Sequence, residues 1–166
     1  MAGRTLVLNH TQVNQKITRI AHQVLEKNTE VDELIIVGIT PRGSELAKRL
    51  KAILDEIATG KVFYFDLTID KDEPLKHSIV CDLNQELASG KTVLLVDDVL
   101  NTGKALMYAA KYLLNFNLAG LQTATLIDRM HRNFPIRADY NGLSLATTIQ
   151  EHIHVEFGQE DSAWLS

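Results

Sequence analysis

The amino-acid sequence predicts an α/β protein built on an open, mostly parallel, twisted sheet with flanking helices. Three observations predict it. Apolar, β-branched runs recur at residues 34–38, 92–96 and 121–127, the pattern of strands buried on both faces. Segments with apolar residues at helical spacing fall between them. Polar stretches at residues 38–42, 97–103 and 128–132 all follow strand ends. A parallel sheet gathers such stretches along one edge, where ligands bind.

The elements follow in order. Residues 11–28 read as an amphipathic helix with Ile17, Ile20, Ala21, Val24 and Leu25 on one side. Residues 34–38 form a buried strand and 40–43 a loop. Residues 44–57 form a helix with Leu46, Ala47, Leu50 and Leu54 inward. A strand follows at 62–68, then a polar loop at 69–75, a short strand at 78–82 and a turn at Ser89-Gly90. Residues 93–96 are the central strand, 104–114 a helix and 121–127 another strand. Short strands fill the remainder, clearest at 152–157. No repeat, low-complexity tract or linker divides the chain, so one domain is expected over residues 1–166.

The totals narrow the class. A chain of 166 residues with 45% hydrophobic content can bury a substantial core. No apolar run reaches the roughly 18 residues of a membrane helix, and the first ten residues lack the apolar length of a secretory signal. One cysteine, Cys81, excludes an internal disulfide framework and fits a reducing, cytoplasmic setting. Net charge is −4, so nothing draws the whole surface to nucleic acid or anionic membrane. Any RNA or phosphate site must come from local clustering.

The most informative stretch is Thr92-Val-Leu-Leu-Val-Asp-Asp-Val-Leu-Asn-Thr-Gly-Lys-Ala105. An apolar strand ends at two carboxylates, Asp97 and Asp98. A small polar turn, Asn101-Thr102-Gly103, leads into a helix. A strand that restarts as a helix points backbone N–H groups at an anion. The acids cannot ligate that anion; they suit sugar hydroxyls or a divalent metal with oxygen ligands. A ribose 5-phosphate meets both demands. Successive strand residues face opposite ways, so both acids reach one ligand only if the backbone turns there. Their plain alternative is capping the turn. Gly103 lets backbone approach a phosphate, Thr102 adds a hydroxyl donor, and Lys104 either joins them or points to solvent.

The loop Thr40-Pro41-Arg42-Gly43 also links a strand to a helix. Arg42 and nearby N–H groups could hold a second anion; alternatively the loop is an ordinary turn. A P-loop is excluded because Ser44 stands where its lysine belongs, and no GxGxxG fingerprint occurs.

These residues carry a resemblance. Val93-Leu-Leu-Val-Asp-Asp-Val-Leu-Asn-Thr-Gly-Lys104 is similar to the phosphoribosyl pyrophosphate signature of type I phosphoribosyltransferases. The whole chain resembles the bifunctional pyrimidine operon attenuator and uracil phosphoribosyltransferase family. The stretches concerned are Ile17-Thr-Arg-Ile-Ala-His22, Val37-Gly-Ile-Thr-Pro-Arg-Gly43, Leu46-Ala-Lys-Arg-Leu50, Asp72-Glu-Pro-Leu75, Ile127-Asp-Arg-Met-His-Arg132 and Pro135-Ile-Arg-Ala-Asp-Tyr140.

The resemblance implies the fold above, with a small, diverged base-binding region. It also implies roles. Asp97 and Asp98 hold ribose hydroxyls and organise Mg²⁺. Val99, Leu100, Asn101, Thr102, Gly103, Lys104 and Ala105 wrap the 5-phosphate. Thr40, Pro41, Arg42 and Gly43 take pyrophosphate, with Arg42 beside the leaving group. Ile127, Asp128 and Arg129 lie near the nucleobase, with residues 140–142 close by. The implied reaction joins uracil to phosphoribosyl pyrophosphate, giving UMP and pyrophosphate. Asn101 stands where purine-using relatives place an acid, which favours a pyrimidine. A homodimer is implied as well.

Three departures stand out. Ala105 replaces the usual hydroxyl residue. The link between Thr68 and Asp72 is short where the family carries a longer closing loop, so the site is expected to lack a lid and turnover to be impaired. The tail after Gly142 diverges. The resemblance also implies messenger-RNA leader binding through Thr18, Arg19 and His22 on one helix face and through His131, Arg132 and Arg137. Against this, Arg19 and His22 read equally as solvated helix residues, and Arg137 can pair with Asp139 or Asp128. A sensor that has lost catalysis is therefore the alternative function. His152-Ile-His154 lacks a third ligand for zinc. Cys81 reads as a packed small residue.

Overall fold

The computed structural model describes residues 3–166. In chain order the elements are β1 (Thr5–Leu8), α1 (His10–Lys27), β2 (Glu33–Ile39), α2 (Arg42–Ile57), β3 (Lys61–Thr68), β4 (Val80–Cys81), α3 (Gln85–Ala88), β5 (Thr92–Leu100), α4 (Lys104–Leu113), β6 (Gly120–Asp128), β7 (Tyr140–Ser144), β8 (Ile153–Glu156) and β9 (Ser162–Leu165). Six strands form one sheet in the order β4-β3-β2-β5-β6-β7. All its neighbours pair parallel except β4, which returns antiparallel along the end of β3. This is the open, mostly parallel sheet that the alternating pattern implied.

The strands β2, β5 and β6 carry long apolar runs because helices cover both sheet faces. One layer packs α1 and α2 over Leu34, Ile36, Leu94 and Val96. The other packs α4 over Ile35, Val37, Val93 and Leu95. Helix α1 starts at Asn9, whose side chain caps the N–H of Gln12 while the Gln12 side chain caps Asn9 in return. Its buried stripe is Val13, Ile17, Ile20, Ala21 and Val24. Burying each such aliphatic side chain is worth about 1.5–3 kcal/mol.

Three differences from the sequence expectation matter. Helix α2 begins at Arg42, so the expected loop 40–43 shrinks to Thr40-Pro41. Strand β5 does not stop at the acids; it runs through them to Leu100. Residues 5–8, to which the sequence reading assigns no element, form β1, which pairs with β9 and with it β8 in a small antiparallel sheet. Trp164 sits in that sheet opposite Leu6 and His154. Among the described residues no helix is long and apolar enough to cross a membrane.

Candidate active site

A cavity of about 360 Å³ opens where β5 ends and α4 begins. Asp97 and Asp98 form its floor, 4% and 3% exposed. Their shared orientation has a visible backbone cause. Leu94 and Val96 pack on the α1–α2 layer, Val93 and Leu95 on the α4 layer. Beyond the acids Val99 belongs to the α1–α2 layer and Leu100 to the α4 layer. Strict alternation would reverse them. The side-chain period therefore slips by one residue across Asp97-Asp98, and both carboxylates reach the cavity.

Two cations meet this pair. The Arg42 Nε donates to Asp98 Oδ2 at 2.8 Å. The Lys71 Nζ lies 2.9 Å from Asp97 Oδ1 and 3.7 Å from Asp98 Oδ1. The Asp98 backbone N–H also donates to Asp97 Oδ1. Burial, and then the charge of Asp98, push the Asp97 carboxyl well above the ordinary carboxylate range, with Lys71 opposing them. Asp97 thus remains short of positive charge.

The expected phosphate turn lines the same cavity from Val99 through Ala105. Gly103 holds φ +86°, and a Cβ there would meet the Ile136 side chain at 2.8 Å. Its glycine is thus required by turn geometry and by packing as well as by any phosphate. The Thr102 carbonyl accepts N–H bonds from Asn133 and Phe134, which fix the turn from outside. Lys104 is not solvated freely; its Nζ donates to the Asp72 carbonyl at 2.7 Å.

The pyrophosphate set divides. Arg42 lines the cavity. Thr40 bonds to Leu67 and Thr68, and Pro41 is exposed beside it. Gly43 is buried because a Cβ would strike the Val96 carbonyl at 2.7 Å and Asp97 Cα at 2.9 Å. Its smallness lets α2 press against the acid-bearing strand.

The base set divides too. Arg129 lines the cavity yet is only 7% exposed. It donates to Asn101 Oδ1 and Thr147 Oγ1 and to the carbonyls of Thr148 and Glu151. Ile127 is buried in the core and absent from the cavity wall. Asp128 is turned away, accepting from the Met130 N–H and from Arg132. Residues 140–142 lie within β7, where Tyr140 bonds Gln122, so they do not border the cavity. His152 and Ile153 border it instead.

The short link noted between Thr68 and Asp72 belongs to a longer connection. The connection between β3 and β4, residues 69–79, contributes Lys71 and Asp72 to the cavity wall. Lys71 went unnoticed in the sequence. Its only signal was a lysine alone among Asp70, Asp72 and Glu73. Thr125, also unremarked, lies opposite Asp97 in register, and its buried hydroxyl has no partner among the described residues.

The six RNA candidates do not form one free basic face. Arg19 donates to the carbonyls of Asn141 and Gly142 at 2.8 and 2.6 Å, covering the outer edge of β7. Arg132 pairs with Asp128. Arg137 is solvated and 3.8 Å from Asp139. Thr18 and His22 are exposed, and His131 is half-buried. No group of three His, Cys, Asp or Glu fit for a metal occurs among the described residues.

Similarity to known proteins agrees with this geometry. The pattern of the phosphoribosyl transferase domain matches residues 4–161. The bifunctional protein PyrR of Geobacter sulfurreducens is 39% identical over 170 residues, covering 95% of this chain and 93% of that protein. Its namesake in Haemophilus ducreyi is 37% identical over 160 residues, covering 90% and 88%. Among solved structures, a hypoxanthine-guanine phosphoribosyltransferase of Bacillus anthracis matches with TM-score 0.73 at 18% identity, covering 86% of this chain and 83% of that one. The hypoxanthine phosphoribosyltransferase of Trypanosoma cruzi matches with TM-score 0.74 at 18% identity, covering 85% and 81%. At such identity the structures speak for the fold alone.

Proposed function

The chain belongs to the phosphoribosyl transferase family, and from that premise we propose that it transfers ribose 5-phosphate from phosphoribosyl pyrophosphate to uracil, yielding UMP and pyrophosphate. One observation carries this proposal. A buried acid pair, an arginine at a helix start and a positive-φ turn opening another helix all border one cavity. The acids suit the two ribose hydroxyls, the turn suits the 5-phosphate, and Arg42 suits the diphosphate.

Each group then has a task. A ring nitrogen of uracil forms a bond to the anomeric carbon as the bond to the diphosphate oxygen breaks, and the proton of that nitrogen passes to the departing diphosphate or to water. Positive charge develops on the sugar, and Asp97 and Asp98 stabilise it from the cavity floor. Arg42 meets the departing anion with a charge-assisted hydrogen bond. The strap at residues 69–79 shields the mouth from water. The N–H groups of Ala105 and Leu106, in the first turn of α4, remain for phosphate oxygens. After its four bonds Arg129 keeps one Nη1 N–H, a donor that favours a base with ring carbonyls over adenine.

The donor set also fits Mg²⁺. Two carboxylates side by side on the cavity floor suit a hard cation. Asp97 and Asp98 would hold the ion, with substrate and water oxygens completing its shell. Once bound it neutralises charge on the departing diphosphate.

The test is a steady-state assay with labelled phosphoribosyl pyrophosphate against uracil, guanine, hypoxanthine and adenine. Turnover with uracil supports the assignment; turnover with a purine alone overturns the base. Binding of UMP with no turnover would favour the alternative, a UMP- or phosphoribosyl-pyrophosphate-sensing regulator that binds messenger-RNA leaders. The exposed Thr18, His22 and Arg137 support that alternative, and Arg19 and Arg132 are already engaged. A salt-dependent mobility shift with pyrimidine-leader RNA tests it directly.

A homodimer and a cytoplasmic setting complete the proposal. Supporting the first, β4 covers only Leu67 and Thr68 of β3, leaving a long strand edge with the exposed Phe63. Light scattering after size-exclusion chromatography tests it. The free Cys81 supports the second.

A further inference from the structure

Lys71 is not a lysine at liberty. Its stretch of chain is fixed by contacts that do not involve its own side chain. Ile69 and Pro74 are buried on either side of it. The Asp70 carboxylate accepts the N–H groups of Asp72 and Glu73 at 3.1 and 2.9 Å. Lys104 grips the Asp72 carbonyl from the start of α4. The strap thus borders the cavity and delivers one ammonium to the acid pair.

Two cations already face the two acids. Asp97 and Asp98 supply two negative charges; Arg42 and Lys71 supply two positive ones. Arg42 occupies Asp98 Oδ2, whereas Lys71 sits on the Oδ1 atoms of both acids. Lys71 is the cation on Asp97 among the described residues. A divalent ion at the same carboxylates would stand against this ammonium at a few ångströms, where like charges in a shielded site repel strongly.

We propose that Lys71 is the resident counter-ion of the acid pair, occupying the place of a metal until a metal-bearing sugar diphosphate displaces it. This rests on the phosphoribosyl site proposed above. Lys71 therefore sets the metal affinity of the site. It also sorts ligands: a ribonucleoside 5′-monophosphate brings no metal and can enter with Lys71 in place, whereas the diphosphate substrate must move it. The lysine stem, with its four rotatable carbons, permits that exchange without refolding the strap.

The experiment compares wild type, Lys71→Met and Lys71→Arg. Mn²⁺ binding is read by electron paramagnetic resonance, with and without phosphoribosyl pyrophosphate. Calorimetry with UMP in EDTA and with phosphoribosyl pyrophosphate runs alongside. Lys71→Met should bind Mn²⁺ about tenfold more tightly or better, the scale on which one neighbouring charge acts. Lys71→Arg, which keeps the charge, should stay near wild type. Equal Mn²⁺ affinity in all three proteins overturns the proposal, and so does absence of Mn²⁺ binding in every case. Failure of wild type to bind either UMP or phosphoribosyl pyrophosphate sinks the functional assignment itself. Binding of both, with Mn²⁺ indifferent to residue 71, sinks only the role of Lys71.

Discussion

Asp97 and Asp161 are both buried aspartates, 4% and 1% exposed, and they stand in opposite electrical states. Asp161 precedes β9 and is fully partnered. Its Oδ2 accepts from Arg49 Nη1 at 2.5 Å and Asn14 Nδ2 at 3.2 Å, and its Oδ1 accepts the Gly158 N–H at 3.0 Å. Arg49 also lies over the Phe157 ring. Burial pushes the Asp161 carboxyl up, but the bonds from Arg49 and Gly158 outweigh it and hold it below its ordinary value. Asp97 has one ammonium, one backbone N–H and a like charge next door, and burial prevails there. The same residue type therefore staples α1 and α2 to the small sheet in one place and floors the cavity of the proposed phosphoribosyl site in the other. Burial alone does not mark a functional carboxylate; incomplete compensation does.

Substitutions can break or sharpen this contrast. Asp98→Asn, on the ligand side, should lower kcat/KM by about 10²–10³-fold and leave the unfolding midpoint close to wild type. Steady-state kinetics beside thermal melts would decide, and an active Asp98→Asn variant would break the contrast outright. Asp161→Asn should do the reverse. Losing the ion pair should cost about 2–3 kcal/mol of stability, the low side of a buried pair because Arg49 retains some access to water. Urea titration measures it, with kcat/KM of the folded variant unchanged. The sign with pH follows from the lowered pKa. Asp161 contributes stability above its unfolded value of 3.8, and that stability is lost as pH falls through the folded pKa. Acid titration of Asp161→Asn should therefore show a shallower loss than wild type.

Smaller effects refine the two regions. Ala105→Ser restores a hydroxyl at the phosphate turn, and one added hydrogen bond of about 0.5–1.5 kcal/mol should tighten UMP binding two- to tenfold. Calorimetry reads this; unchanged affinity would place the phosphate away from Ala105. Met130 adopts φ +60° with an exposed side chain. Met130→Gly should raise stability by about 0.5–1 kcal/mol by relieving left-handed backbone strain, visible as a higher urea midpoint.

Much of the fold was legible because its signals are local. The apolar runs that became β2, β5 and β6, the stripe of α1 and the polar turn at residues 101–103 each state their structure within a few residues. The acid pair was legible for the same reason: charge at the end of an apolar strand has few other uses. The reach of β5 past the acids was not, because Val99 and Leu100 look like loop entry when the neighbouring β6 is unseen.

By itself, then, the chain's order of residues determined the alternating parallel core and the chemistry of Asp97, Asp98 and Gly103. Tertiary structure alone decided the company these residues keep. It brought Lys71 to Asp97, used Arg129 to tie Asn101 to residues 147–151, withdrew Asp128 from the cavity and joined Thr5 to Leu165. Periodicity acts over one or two turns of chain. Charge compensation and strand pairing act through space, between residues whose separation along the sequence carries no trace of their meeting.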